Sequence, residues 1–253
     1  MKGGYYHFNI GTAGSVTLVA QTIIPILLMA KTPSRVTITG GTHVSFAPTW
    51  DFFSECYLPE IRRMGANVEA SLKSYGFNPA GGGEIELSIK PFDRASSNKD
   101  YAIKELGAFM GGSVEAVVSD VLLKIADAEV GILYKSLADL KLEKAAYEVE
   151  SVGPGNYCIG KLKYERATVV FSSIGSLGRS RKAVAHEIIK GVKRFMSSGK
   201  ACEVHLADQL LLPYCLLVAG GVDFFNLDDF VWLSAQEKSL HFATNLDVIR
   251  LFK

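Results

Sequence analysis

The pattern of apolar and polar residues along positions 5–90 predicts six elements of secondary structure. Runs in which every second position is apolar indicate strands, and apolar positions that recur every three or four residues indicate helices. The glycine-rich turn 11–15 ends in a serine, a typical helix cap. The predicted elements are strand 6–10, helix 16–29, strand 35–39, a helix from 48 to 65, and strands 68–73 and 84–90. Their order is β-α-β-α-β-β.

A second group of elements is predicted after Pro91. Residues 96–100 form a polar linker, and apolar positions at helical spacing predict a helix that begins at Ser113 and passes through Val117, Val121 and Ile125. The remaining predictions are strands near 145–150, 157–164 and 167–173, a helix at 180–195, a helix at 207–218, further strands, and a last helix at 245–252.

Together these elements predict an α/β fold of the layered α+β type. We expect repeated β-α-β-α-β-β units with a smaller α/β domain inserted into them. The predicted main domain comprises 1–92 and 198–253, and the predicted inserted domain comprises 93–197. The main domain is expected to be incomplete, because the chain starts just before a strand and stops just after a helix.

The charge of the chain is balanced overall but uneven locally. Of its 253 residues, 48% are hydrophobic and 21% are charged, and the formal net charge is +1, so no global field directs it to nucleic acid. Between Lys161 and Lys200, however, ten Lys or Arg residues stand against two acids, Glu165 and Glu187. Such an excess either attracts a phosphate backbone or is the solvated face of a helix beside a basic loop.

Cysteine usage and hydropathy indicate a cytoplasmic protein without a membrane partner. The cysteines at positions 56, 158, 202 and 215 lack Cys-x-x-Cys spacing, so no metal ligand is assigned. Without a secretory signal, we expect reduced, buried thiols. The apolar stretch 16–30 is too short and too polar to span a bilayer, because Thr17, Gln21, Thr22 and Pro25 interrupt it.

The chemistry-bearing residues lie in two C-terminal motifs. His241 directly precedes Thr244-Asn245, a predicted helix start, so we expect its ring to face solvent or a cleft. Asp208 and Gln209 open another apolar helix and offer a partner for the second ring nitrogen. Such a pairing fixes the tautomer and makes an imidazole a usable nucleophile or base. A lone histidine is otherwise more often a capping or surface residue.

Five motifs together resemble the RNA 3′-terminal phosphate cyclase family over essentially the whole chain. They are Ile10-Gly-Thr-Ala-Gly-Ser15, Gly40-Gly-Thr42, Phe77-Asn-Pro-Ala-Gly-Gly-Gly83, Ala207-Asp-Gln209 and His241-Phe-Ala-Thr-Asn245. The resemblance implies β-α-β-α-β-β repeats with an inserted α/β domain. It also implies an enzyme of the ligase class that converts an RNA 3′-phosphate into a 2′,3′-cyclic phosphodiester. ATP and a divalent cation, Mg or Mn, are the implied cofactors, and RNA 3′-phosphate ends are the implied partner.

The same resemblance assigns the site residues. In this family a histidine takes AMP from ATP, AMP moves to the RNA 3′-phosphate, and the neighbouring 2′-hydroxyl displaces it. His241 matches the adenylylated histidine, and Asp208 matches the acid of the nucleotide site, where it orients the imidazole or a metal-bound phosphate. The remaining matched nucleotide contacts are Gln21, His205, Leu206, Ala207 and Gln209. His205 is expected to stack on adenine.

The glycine-rich segments have two interpretations. The 11–15 turn before a helix could cradle phosphate oxygens on exposed amides, but most such turns only connect a strand to a helix. The segment 79–83 could be a loop of close backbone approach or an ordinary hairpin, and the chain entropy that its three successive glycines cost favours a functional reason.

The chain also departs from the resemblance. The family's first repeat, which carries a glutamate, several arginines and a glycine-rich segment, has no counterpart here, and the C-terminal strands are also missing. His43 stands where the family usually has an acid. With the cationic clamp absent, we expect weak or no self-adenylylation unless a separate chain supplies that repeat.

Two other functions compete with the cyclase hypothesis. A non-catalytic relative would act in RNA binding or ribosome assembly, but that branch lacks the nucleophile, and His241 argues for an enzyme. The repeats also resemble those of enolpyruvyl transferases, which bind anionic small molecules with many Lys and Arg. Residues 1–60 hold only Lys2, Lys31 and Arg35, so this third hypothesis has little support.

Overall fold

Four strands form the first sheet of the computed structural model, which describes residues 2–218, 233–235 and 239–251. The strands are β1 (Tyr5–Asn9), β2 (Ser34–Gly40), β3 (Val68–Ser74) and β4 (Gly83–Ile89). Their order in the sheet is β1-β2-β4-β3; β1 is parallel to β2, and β4 is antiparallel to both of its neighbours. The predicted element order β-α-β-α-β-β is confirmed.

One face of this sheet is covered by helices. They are α1 (Val16–Leu28), and a continuous helical segment made of α2 (Trp50–Phe52), a π-helical turn (Phe53–Tyr57) and α3 (Leu58–Arg63). Ser15 caps α1 as predicted, since its hydroxyl accepts a hydrogen bond from the Leu18 amide at 3.2 Å. Ala20 and Ile24, four residues apart, are buried against the sheet.

The second sheet has the order β6-β5-β7-β8. Its strands are β5 (Phe109–Ser119), β6 (Glu143–Glu148), β7 (Gly155–Tyr164) and β8 (Thr168–Ile174), and its helices are α4 (Leu123–Ser136) and α5 (Arg181–Ser198). The strands β6, β7 and β8 and the helix α5 lie close to their predicted positions. Only the β5–β6 pairing in this sheet is parallel.

The helix predicted to begin at Ser113 is wrong, because this segment is the strand β5. Val117 belongs to the hydrophobic cluster of the first sheet, whereas Val114 and Val118 belong to that of the second. A strand buried on both faces has no polar alternation, so its apolar run imitates a helical pattern. The strand ends before Asp120, whose φ of 50° is incompatible with a continued strand, and α4 begins at Leu123.

The second sheet packs against the helical segment that follows β2, because β8 contacts both α2 and the π-helical turn. Val117, Tyr157, Ile159 and Val170 of the second sheet pack into the cluster built mainly from the first sheet and its helices. A separate cluster joins the other face of the second sheet to α4 and α5. The domain division into 1–92 with 198–253 and 93–197 stays a prediction.

The chain then continues into α6 (Val204–Leu217) and α7 (Leu240–Leu251). The strands predicted between these helices fall largely outside the described residues, as does Phe252. Residues 233–235 lie between two other segments, since Leu233 pairs with Ile103 and Ala235 pairs with Cys202. Within the described ranges, every helix is too short or too polar to cross a bilayer.

Candidate functional site

Helices α1 and α6 lie side by side and run in the same direction. In the N-terminal half of each helix, the Gln21 side-chain amide donates a hydrogen bond to the side-chain oxygen of Gln209. Near the C-terminal ends, Leu28 and Leu217 line the same tightly packed apolar gap. The two N-termini therefore lie at one end of the molecule, where backbone amides and helix dipoles favour negative charge.

The Gln21–Gln209 hydrogen bond gives each glutamine a polar partner. Gln21 lies beside buried residues of α1 such as Ala20, where an unpaired amide would cost about 1–3 kcal/mol. Both residues were predicted to contact a nucleotide, and the fold brings them together from 188 positions apart in sequence. Their contact with ATP stays a prediction.

A buried glutamate, Glu203, caps the N-terminus of α6. Its carboxylate accepts hydrogen bonds from the backbone amides of His205 and Leu206, at 2.8 and 3.2 Å. It also accepts one from Nδ1 of the His205 ring at 2.7 Å. Because the His205 side chain is 75% exposed, its ring is held in place and is still accessible for stacking on a base.

The side chains of Leu206 and Ala207 are buried in the hydrophobic cluster of the first sheet. They lie on the face of α6 that packs inward, next to the partly exposed Asp208 and Gln209. Only the backbone atoms of Leu206 and Ala207 can therefore meet a nucleotide, and that contact stays a prediction.

The hydroxyl of Ser239 joins the N-terminus of α7 to α6. It accepts a hydrogen bond from the Phe242 amide at 3.0 Å, which is the geometry of a helix cap. It also donates to the Asp208 carboxylate, with distances of 2.6 and 2.7 Å to the two oxygens. The carboxylate of Asp208 thus anchors the helix that carries His241.

His241 lies in the first turn of α7 and is exposed. The prediction that α7 starts at Thr244-Asn245 is wrong, because Ser239 caps the helix earlier and the Thr244 hydroxyl donates back to the Leu240 carbonyl at 2.9 Å. Phe242, the next residue, is 1% exposed and fixes the turn against the core. The predicted orientation of the His241 ring, toward solvent, is confirmed.

Asp208 lies in the electrostatic field of both imidazoles. Burial raises the pKa of its carboxyl above the ordinary value, and the charge of Glu203 acts in the same direction. The hydrogen bond from Ser239 and the charges of His205 and His241 oppose this increase. Among the described residues, Asp208 bonds to Ser239 and not to the His241 ring, so the expected direct partner of the second ring nitrogen is replaced by an indirect link.

The glycine-rich segments meet backbone to backbone. A Cβ on Gly41 would lie 2.4 Å from the Ala13 carbonyl oxygen, and one on Gly81 would lie 2.8 Å from that of Thr12. A Cβ on Gly76 would lie 2.3 Å from the Gly83 nitrogen. Close packing of three loops explains these glycines. The first amide of α1, on Val16, already donates to the Gly41 carbonyl at 3.0 Å, so the turn is not an open phosphate cradle.

The protein family that matches this sequence agrees with the fold and the site described above. The family described as RNA 3′-terminal phosphate cyclase matches residues 1–253. This chain belongs to the RNA 3′-terminal phosphate cyclase family. The resemblance inferred from the five sequence motifs is therefore confirmed, and so is the α/β fold class.

Three relatives named RNA 3′-terminal phosphate cyclase show the extent of the similarity to this cyclase-family chain. The protein from Ectopseudomonas mendocina is 38% identical over 253 residues, covering 100% of this chain and 70% of the relative. That from Pseudomonas fluorescens is 41% identical over 88% of this chain and 64% of the relative. That from Koribacter versatilis is 37% identical over 98% of this chain and 66% of the relative. The chain spans about two thirds of the length of these relatives.

A buried polar network in this cyclase-family chain was not predicted from the sequence. The His43 ring is fully buried, bonds to Asp51 through Nε2 at 3.0 Å, and stacks on Tyr157 with ring centroids 4.1 Å apart. Lys161 of the second sheet reaches the same cluster, with Nζ 3.4 Å from Asp51 and 2.7 Å from Glu55. Lys161 is therefore an internal ion-pair partner and not part of a basic surface.

The charges in this network set the protonation of its members. Burial alone would raise the pKa of Asp51, but its hydrogen bond to His43 and the charges of His43 and Lys161 outweigh burial and hold that pKa below the ordinary value. Burial would lower the pKa of Lys161, but the hydrogen bond to Glu55 and the surrounding carboxylates raise it. Both groups are ionised at neutral pH.

Proposed function

We propose that this chain carries out the ATP-dependent conversion of RNA 3′-phosphate ends into 2′,3′-cyclic phosphodiesters, as an enzyme of the ligase class acting in RNA processing. Membership of the cyclase family supports the reaction type. The observation that carries the assignment to a residue is the exposed His241 in a first turn anchored by Ser239 to Asp208. We also propose a cytoplasmic location, consistent with four buried free cysteines.

In the first step, an imidazole nitrogen of His241 attacks the α-phosphorus of ATP. A nitrogen–phosphorus bond forms, the bond to the bridging oxygen breaks, and pyrophosphate leaves with the electron pair. The second ring nitrogen of the exposed His241 gives up its proton to solvent. Asp208 holds a negative charge close enough to stabilise the cationic ring that forms, because the two groups interact electrostatically.

In the next two steps, the AMP group activates the RNA end. An oxygen of the RNA 3′-phosphate attacks the AMP phosphorus, and the nitrogen–phosphorus bond to His241 breaks. The neighbouring 2′-hydroxyl then attacks the RNA phosphorus, loses its proton, and releases AMP. The covalent adduct replaces one difficult displacement with easier ones, because AMP is a better leaving group than oxide or hydroxide.

The surrounding residues fit a nucleotide. The N-termini of α1 and α6 lie at one end of the molecule, where the Glu203 carboxylate already caps α6. His205 offers an exposed ring for stacking, and the Gln21–Gln209 pair retains hydrogen-bonding groups for a base or ribose. A divalent cation would screen the phosphates, with Asp208 as the carboxylate suited to approach it.

Mass spectrometry after incubation with Mg-ATP tests this proposal. We expect a slowly formed, acid-labile AMP adduct on the peptide that contains His241. The adduct should be lost in His241→Ala and retained in the matched variant His205→Ala, since His205 is expected to affect nucleotide affinity only. An adduct that persists in His241→Ala would refute the assignment. No adduct at all, even with the family's first repeat supplied as a separate chain and with RNA binding intact, would favour the non-catalytic RNA-binding hypothesis.

A further inference from the structure

Helix α5 presents a continuous basic stripe to solvent. The stripe consists of Lys182, His186, Lys190 and Lys193, which are four, four and three residues apart and are all exposed. This spacing places them on one face of the helix, within about 80° of arc. The opposite face is buried and holds Val184, Ile188, Val192 and Phe195.

The charge of this basic stripe is not neutralised by the fold. Lys182, Lys190 and Lys193 form no ion pair with the residues described in the structure, although Lys161 and Arg166 pair with Glu55 and Glu105. Glu187, the one acid in α5, lies off the stripe and bonds to Arg179 at 2.5 Å and to Ser173 at 2.6 Å. From the sequence alone, the lysines of the basic stripe could not be told apart from the paired cations Lys161 and Arg166.

A short connection joins the end of α5 to the candidate site. Helix α5 ends at Ser198, and Glu203, which caps α6 and holds His205, follows five residues later. From Lys182 to Lys193 the stripe is about 16 Å long, at 1.5 Å per residue. It is therefore long enough to contact more than one phosphate of an extended strand.

We propose that this basic stripe binds the phosphate backbone of a single RNA strand upstream of the 3′ end held near His241. The inference rests on the proposed function, because it takes the substrate to be RNA. Lysine ammonium groups bind phosphates as point charges without reading the base sequence. The affinity that the stripe contributes therefore depends on the length of the RNA strand and not on its base sequence.

Fluorescence anisotropy with two labelled RNAs tests the proposal. One is a long single strand with a 3′-phosphate and the other is a dinucleotide with a 3′-phosphate. In the variant Lys182→Gln/Lys190→Gln/Lys193→Gln, we expect roughly tenfold weaker binding of the long strand at low salt. The slope of log affinity against log salt should decrease by about 2, since each phosphate contact contributes about 0.7 on a single strand. Binding of the dinucleotide should not change.

Two control variants make this test specific. Lys104→Gln/Lys124→Gln/Lys135→Gln removes the same charge from exposed lysines elsewhere in 93–197 and should bind like the unmodified chain. Lys182→Arg/Lys190→Arg/Lys193→Arg keeps the charge and should retain binding. Equal losses in both glutamine variants, or an unchanged salt slope, would overturn the proposal. So would stripe-dependent binding of anionic phospholipid vesicles with RNA affinity unaffected.

The AMP adduct separates failure of this inference from failure of the proposed function. Labelling of His241 by ATP needs no RNA, so the stripe variant should label as fast as the unmodified chain. If the stripe variant binds RNA normally while His241 is labelled, only the proposed role of the stripe in RNA binding is overturned. Absence of labelling even with the family's first repeat supplied as a separate chain, together with stripe-dependent RNA affinity, overturns only the cyclase assignment.

Discussion

A single hydroxyl group, on Ser239, holds the two C-terminal motifs together. The sequence identified Asp208 and His241 by their motifs, but nothing in the sequence indicated that Ser239 links them. A serine two residues before a histidine has many possible partners, and its role depends on α6 and α7 meeting in three dimensions. Glu203 was also missed, because glutamate is not among the favoured helix caps.

Substitution of Ser239 tests its positioning role. In Ser239→Ala, we expect α7 to lose its cap, worth about 1 kcal/mol, and Asp208 to lose its hydrogen-bond donor. The rate of AMP transfer to His241 should fall about tenfold, as expected for a barrier higher by about 1.4 kcal/mol. Ser239→Thr keeps the hydroxyl and should restore most of the rate. Timed mass spectrometry measures both; an alanine variant that labels normally would exclude this role.

At the level of elements, alternation along the sequence predicted the strands of the first sheet and β6, β7 and β8, but failed for β5. The edges and turns of the first sheet follow the expected pattern closely. The strand β5 lies between two hydrophobic clusters, so its valines carry no signal of which face is inside. Its identity depends on the neighbouring strands β6 and β7, which no local pattern contains.

The environment of Val117 provides a test at this level. In the amphipathic helix predicted from the sequence, Val117→Ala would cost less, because alanine is the better helix former and offsets part of the lost packing. In the buried strand β5, it removes two methyl groups and leaves a cavity, so we expect a loss of about 2 kcal/mol. Met110→Ala, at a residue that is 67% exposed on the same strand, should change stability little. Urea unfolding compares them, and equal midpoints would contradict the strand assignment.

Across the whole molecule, the contact between the second sheet and the segment after β2 contains charge as well as apolar surface. Asp51 and His43 come from the segment after β2, whereas Lys161 comes from β7, more than a hundred positions later. From the sequence, Lys161 was grouped with the surface cations, because spacing along the chain does not reveal its distant partners Asp51 and Glu55. The fold class was predictable from local patterns, but this buried connection was not.

Acid titration should reveal the contribution of Asp51. Its folded-state pKa lies below the ordinary 3.8, so the native state binds fewer protons than the unfolded state as the pH falls through this range. The stabilisation is complete above 3.8 and is lost as the pH falls through the folded-state value. We expect Asp51→Asn to cost about 2 kcal/mol at neutral pH, with a difference that shrinks in acid.

Thermal unfolding at several pH values measures this difference for Asp51. Glu86→Gln, which removes an exposed partner of Lys73, is the matched control and should have a small effect at every pH. A deficit of Asp51→Asn that stays constant into strong acid would contradict the pKa assignment.

The hydrogen bond between Gln21 and Gln209 has a consequence for biosynthesis. It joins side chains 188 positions apart, and the anchored His241 follows later still. A nascent chain on the ribosome can fold its first sheet early, yet it cannot bring Gln21, Gln209 and His241 to one end of the molecule until α6 and α7 have emerged. The nucleotide binding proposed for this end would therefore be a late event of translation.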